Sequence, residues 1–183
     1  FMDTKTAQSI SIPYYFVIDQ DKEFVLTPTI RYGGGVDASQ HIRYEYNQLL
    51  SGGHLSIDST MDTNLENDNN ENWLRDASLI IGLNQNLNEK FHMNFESALQ
   101  TSPTYLRRTD QNNFLNRKNT LKTSLGLFGH ELFEPNDYLS VEIKGYQVVK
   151  NNEDNKTTPT SFPHVNYVFD NRHYRGNNIS NQL

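Results

Sequence analysis

Residues 23–32 read EFVLTPTIRY, and this stretch indicates the fold class. Its apolar or ring-bearing side chains fall at every second position: Phe24, Leu26, Pro28, Ile30 and Tyr32. Apart from Val25, the positions between them are polar. Successive side chains of a β-strand point to opposite faces, so the pattern predicts a strand with one apolar and one polar face.

The same alternation recurs along the chain. Nowhere do apolar residues recur at helical spacing, every three or four positions, across a dozen positions. It predicts about nine strands in all. The others span residues 9–17, 38–46, 55–62, 73–83, 91–99, 121–127, 139–149 and 165–169. Turn-forming residues separate them, as in Glu134-Pro135-Asn136-Asp137. The sequence therefore predicts an all-β fold, an antiparallel up-and-down meander.

Composition excludes several classes of function. The chain has no cysteine, which removes disulfides, thiolate metal sites and thiol nucleophiles. Its net charge of −6 argues against a nucleic-acid partner, because such proteins present a basic face. Only 35% of residues are hydrophobic, yet there are ten Tyr, ten Phe and 23 Asn. The six histidines show no metal-ligand spacing, so we expect no enzyme activity and no cofactor.

A meander of this kind can be an outer-membrane barrel, a porin-like channel or a soluble β-sandwich binding module. Predicted strands of about 9–12 residues match a tilted transmembrane β-strand. Aromatic residues near strand ends resemble the interfacial girdles of such barrels. They are Tyr14, Tyr15, Tyr32, Tyr44, Tyr46, Trp73, Phe91, Tyr138, Tyr146 and Tyr167. Length and aromatic placement favour a transmembrane β-barrel.

Four segments, in order, resemble one family. They are ISIPYYFVI at residues 10–18, FVLTPTIRY at 24–32, TYLRRTD at 104–110 and FPHVNY at 162–167. The chain resembles the LptD (OstA) family of outer-membrane lipopolysaccharide-assembly proteins over nearly its whole length. The resemblance implies that residues 1–183 are the N-terminal portion of the family's β-barrel, eight or nine strands of roughly two dozen. It also implies a missing jellyroll upstream and missing closing strands downstream.

The resemblance further implies a function and a set of partners. The function is lipopolysaccharide transport and assembly at the outer membrane of a Gram-negative bacterium. The chain would form barrel wall next to the lateral gate through which lipopolysaccharide reaches the outer leaflet. The implied partners are lipopolysaccharide, outer-membrane lipid, an LptE-type lipoprotein plug and, through the missing jellyroll, the periplasmic Lpt bridge.

Two prolines lie in the first two predicted strands. Proline has no N–H to donate to a ladder, so Pro13 and Pro28 would weaken the seam that the family opens as its gate. The plainer interpretation is that they mark strand ends or a bulge.

Basic residues are candidates for the route of a polyanionic lipid. Alternation places Arg31, Arg43 and Lys122 on the polar face, and Arg107 and Arg108 in a long connection. The plainer interpretation is that a polar lumen is simply solvated, and acidic neighbours such as Asp58 and Asp62 are expected on the same face.

The long connections, residues 64–72, 101–118 and 150–161, follow the fourth, sixth and eighth predicted strands. Short turns usually face the periplasm, which would place the long connections outside. The family topology places them in the periplasm, and we adopt that expectation.

Overall fold

The computed structural model describes residues 8–32, 39–64, 74–102, 105–106, 115, 119–133, 135–149, 161–170 and 180–182. Within this part of the chain, eleven β-strands join one antiparallel sheet. Their bounds are β1 Gln8–Ser11, β2 Tyr14–Asp19, β3 Lys22–Tyr32, β4 Ser39–Leu50, β5 Gly53–Asn64, β6 Leu74–Asn86, β7 Phe91–Gln100, β8 Thr120–His130, β9 Tyr138–Val148, β10 Ser161–Asp170 and β11 Ser180–Gln182. The all-β up-and-down prediction is confirmed.

The sheet is open, and its strands follow one another in chain order. β1 and β2 share one edge position, because both pair with β3 on either side of a break at Ile12 and Pro13. The sheet therefore has ten positions. This is one position more than the nine predicted strands, because the short strand β11 pairs with β10. No helix of the described residues is long and apolar enough to span a bilayer.

The register gives the sheet two chemically different sides. Directly opposed residues share a face, and Phe24 lies opposite Tyr46, which lies opposite Ile57, which lies opposite Ile81. We call this side, which continues through Phe95, Leu125, Ile143 and Val165, the apolar face. The other side is the polar face.

The polar face is built the same way from the intervening positions. Thr29 lies opposite His41, His41 opposite Asp62, and Asp62 opposite Asp76. Because the side-chain period of a strand is two, one pairing register fixes both faces at once.

The connections differ between the two ends of the sheet. Connections of two to seven residues join β2 to β3, β4 to β5, β6 to β7 and β8 to β9 at one end of the sheet. The long connections β5–β6, β7–β8 and β9–β10 lie at the opposite end. The β4–β5 turn contains only Ser51 and Gly52, and Gly52 has a φ of +84°, which favours glycine. The three predicted long connections therefore share one end of the sheet, whereas the unpredicted connection from β10 to β11, residues 171–179, lies at the end of the short ones.

One part of a long connection packs onto the sheet. Tyr105, Leu106 and Leu115, from between β7 and β8, are all buried. Leu106 and Leu115 form an apolar cluster with Ala98, Leu121 and Val149. This cluster is the small hydrophobic core of the described residues.

Candidate functional site: the edge strand and the polar face

Pro13 and Pro28 lie side by side at the edge of the sheet. The residues that flank the break keep one register, with Ser11 opposite Thr29 and Tyr14 opposite Leu26. Pro13 therefore occupies the position opposite Thr27, one step from Pro28 along the ladder.

A single hydrogen bond shows toward which neighbouring strand the backbone nitrogen of each proline points. The Ile12 N–H donates to the Pro28 carbonyl oxygen at 3.2 Å. Backbone groups of an antiparallel strand point alternately to its two neighbours, so the even-numbered residues of β1 and β2 bond to β3. On β3, the odd-numbered residues bond to β4, as the 2.8 Å bond from the Leu49 N–H to the Asp21 carbonyl oxygen confirms.

Each proline therefore removes a different donor. Pro28 cannot return a bond to the Ile12 carbonyl, so the ladder between β3 and the edge strand loses one of its bonds. Pro13 is an odd-numbered residue, and the N–H that it lacks would point out of the sheet edge. The outer edge accordingly has one donor fewer for any strand that pairs there.

The edge strand is exposed along its full length. Every residue of β1 and β2 is exposed, and β2 carries apolar or aromatic side chains on both faces. Tyr14 and Phe16 lie on the apolar face, whereas Tyr15 and Val17 lie on the polar face. Exposed strand edges of this kind are normally paired or covered in folded proteins.

Arg43 lies on the polar face, and acidic residues surround its guanidinium. Its Nε donates to Asp58 Oδ1 at 3.1 Å and a terminal nitrogen donates to Asp58 Oδ2 at 2.6 Å. Glu45 lies 3.2 Å from the same group. A bidentate arginine–carboxylate pair is strong and geometrically fixed.

The other basic candidates divide into two groups. Lys122 and Arg31 lie on the polar face, as alternation predicts, and Lys122 Nζ is 3.2 Å from a Glu96 carboxylate oxygen. Arg107 and Arg108 lie outside the described residues. Since Arg43 and Lys122 are each paired with an acidic residue, the polar face is charge-balanced at these two positions and not simply basic.

A buried polar network, which the sequence did not predict, covers the long-connection end of β3–β6. His41 Nδ1 lies 2.7 Å from Asp62 Oδ1, and Thr60 Oγ1 lies 2.6 Å from Ser78 Oγ. Tyr105 packs over this network beside Thr60 and is fully buried. Burial raises the pKa of the Tyr105 hydroxyl, so the neutral phenol is strongly favoured. Alternation predicts the face of each residue, but no sequence signal predicts this long-range contact.

The aromatic residues do not all lie where a girdle requires them. Tyr15, Tyr138 and Tyr146 lie on the polar face, opposite Val25, His130 and Lys122 respectively. These three are wrong as members of a lipid-facing girdle, because the period of two sends them to the other side. Trp73 lies outside the described residues.

The described side chains include no group of three or more His, Cys, Asp or Glu residues placed to hold a metal ion. The described residues present three surfaces: a sheet edge that lacks backbone donors at Pro13 and Pro28, an apolar face, and a polar face on which Arg43 and Lys122 are paired with acids. In comparisons with known proteins, the chain matches no family model and no curated protein sequence.

Proposed function

We propose that this chain is a section of wall in an outer-membrane β-barrel that assembles lipopolysaccharide, next to the barrel's lateral gate. The observation that carries the proposal is the apolar face, which runs across one antiparallel sheet and stays open. Ile10, Phe16 and Val165 are 56%, 48% and 58% exposed on that face. Leaving this much apolar surface in water is costly, whereas a lipid bilayer would cover it.

The order of the strands supports the same proposal. All described strands belong to one sheet, and their sequential antiparallel pairing is the arrangement of an outer-membrane barrel wall. In a soluble sandwich, a second sheet would pack about 10 Å from the apolar face. An open sheet edge is not tolerated in lipid, so the proposed barrel requires further strands to close it.

The gate assignment rests on the two prolines and on the family resemblance. The edge strand lacks one ladder bond to β3 at Pro28 and one outward donor at Pro13. Each backbone hydrogen bond contributes about 1 kcal/mol net. An edge strand that is held to β3 by one bond fewer, and that offers one donor fewer on its outer side, separates at lower cost than a complete one, as a gate for an amphiphile requires.

The polar face would line the lumen. Its charges form pairs such as Arg43 with Asp58 and Lys122 with Glu96, so it offers a hydrated wall with alternating charge. A polyanionic saccharide would pass such a wall without being held tightly at one site. An LptE-type plug and the periplasmic Lpt bridge are the protein partners that belong to this proposal.

Export of lipopolysaccharide by the full-length protein tests the proposal. Pro13→Ala restores the donor on the outer side of the edge strand, and Pro28→Ala restores a donor between the edge strand and β3. We expect both to lower the amount of lipopolysaccharide that reaches the cell surface. Pro135→Ala, in the exposed turn between β8 and β9, is the matched control. Surface labelling of lipopolysaccharide after depletion of the wild-type protein is the measurement. Normal surface labelling in both seam variants would contradict the gate assignment.

A further inference from the structure

Three rings stand side by side on the polar face of β7, β8 and β9. The ring of Phe128 lies between those of His92 and Tyr138, with centroids 6.1 Å and 6.4 Å apart. The interplanar angles are 30° and 21°, so neighbouring rings of the group are close to parallel. We call these three residues the aromatic shelf.

A glycine shapes the shelf. Gly126 lies two residues before Phe128 on the same face, and a Cβ at position 126 would lie 2.7 Å from two carbons of the Phe128 ring. The ring therefore lies over the glycine backbone. Any larger residue at position 126 would force it to rotate away.

Polar side chains surround the shelf on the same face. Asn94 and Glu142 lie opposite Gly126, and Ser140 lies opposite Phe128. Asn166 and His164, on β10, extend this polar border. A recess of about 80 Å³ beside the Phe128 ring is lined by residues that include Asn94, Glu142 and Lys122. The border therefore offers both hydrogen-bond donors and acceptors.

We infer that the aromatic shelf binds carbohydrate, with the C–H face of a pyranose ring stacked on Phe128 and Tyr138. A sugar ring has an apolar face and a rim of hydroxyl groups, so it fits an aromatic surface bordered by amide, hydroxyl and carboxylate groups. The ion pairs of Glu96 with Lys122 and of Glu142 with Lys144 leave no strong net charge beside the rings. A neutral, hydroxyl-rich sugar ring, alone or within a larger saccharide, matches that balance.

The inference goes beyond the proposed function, because it depends only on the geometry of β7–β9. The same chemistry could come from a free glycan or from the saccharide of lipopolysaccharide. Two probes separate these sources: maltohexaose, and the core oligosaccharide released from lipopolysaccharide by mild acid.

Saturation-transfer-difference NMR on the full-length protein in detergent micelles tests the inference. We expect saturation transfer to the ring protons of at least one probe. Gly126→Ala, which displaces the Phe128 ring, and Phe128→Leu, which removes it, should each weaken binding about tenfold, which corresponds to losing one stacking interaction. Gly145→Ala on β9 is the matched control, since nothing lies within 4 Å of a Cβ there. Phe133→Leu controls for loss of an exposed aromatic residue outside the shelf.

Each outcome is decisive. Binding by the wild type and both controls, together with weakened binding by Gly126→Ala and Phe128→Leu, supports the shelf whichever probe binds. Equal affinity in all variants, or no transfer from either probe to the wild type, would overturn it. Neither result bears on surface lipopolysaccharide in the proline variants, so failure here is distinguishable from failure of the proposed function.

Discussion

The N–H of Ile12 donates to the carbonyl oxygen of Pro28 at 3.2 Å across the break in the edge strand. The bond keeps β1 and β2 in one register although two residues between them are not in strand conformation. It also shows that the backbone N–H groups of even-numbered residues along the edge strand point toward β3, and that those of odd-numbered residues point away from it. The two prolines consequently have separate physical effects that substitution can resolve.

Pro28→Ala should strengthen the ladder between the edge strand and β3. The new N–H can donate to the Ile12 carbonyl, which adds about 1 kcal/mol of local stability. Hydrogen–deuterium exchange of β2 amides in the full-length protein should slow by about fivefold, the kinetic equivalent of that energy. Pro13→Ala is the internal control, because its N–H points away from β3. Equal slowing of the β2–β3 ladder by both substitutions would show that the assigned directions are wrong.

Tyr105 should anchor the β7–β8 connection to the polar face. Tyr105→Ala removes a fully buried ring, and we expect a loss of about 3–5 kcal/mol, the range for large-to-small core changes. Urea unfolding in micelles measures this loss, and limited proteolysis locates it. Faster cleavage between β7 and β8, with the other connections unchanged, is the expected pattern. Uniformly faster cleavage would indicate a global effect instead.

The raised pKa of Tyr105 predicts a specific alkaline sensitivity. The folded state retains the phenol proton above pH 10.0, the ordinary pKa, whereas the unfolded chain releases it. The folded state thus binds more protons there, so this stabilisation is complete below pH 10.0 and falls as the pH rises further. Tyr105→Phe keeps the ring but removes this part of the pH dependence. An identical decline of stability in both proteins between pH 9 and about 11 would contradict the prediction.

His41 and Asp62 should be energetically coupled. Their side chains are only 10% and 13% exposed at a separation of 2.7 Å, so removing either partner leaves a buried polar group without its neighbour. A double-mutant cycle with His41→Phe and Asp62→Asn should give single losses of about 1–3 kcal/mol that are not additive. Lys22 and Asp19, 3.8 Å apart and more exposed than His41 and Asp62, are the control pair and should show no measurable coupling. Additive losses at His41 and Asp62 would contradict the prediction.

Alternation was sufficient to predict nine of the ten positions in the sheet and the faces of their residues. The stretch at residues 23–32 predicted a strand, and β3 spans Lys22–Tyr32. Arg31, Arg43 and Lys122 lie on the expected face, because the side-chain period of a strand does not depend on which strands pair. Strands without a clear apolar–polar pattern could not be predicted. The strand Ser180–Gln182 is an example, because its three residues are all polar and show no alternation.

The partners of the candidate residues could not be predicted. The Asp58 carboxylate beside Arg43 and the Glu96 carboxylate beside Lys122 depend on the register between strands. Tyr105 reaches the network of β3–β6 through a connection whose sequence shows no periodicity. The aromatic shelf depends on Gly126, whose sequence position alone does not reveal the ring that lies over it.

The central proposal, that the apolar face contacts lipid, is tested most directly by spin-label accessibility along β9 in the full-length protein, reconstituted into bilayers. Labels at Leu139, Val141 and Ile143 lie on the apolar face, and labels at Ser140, Glu142 and Lys144 lie on the polar face. We predict a period of two, with the first three accessible to oxygen and the last three to a water-soluble nickel chelate. Apolar-face labels that are shielded from both reagents would show a face buried within protein and would contradict the proposal.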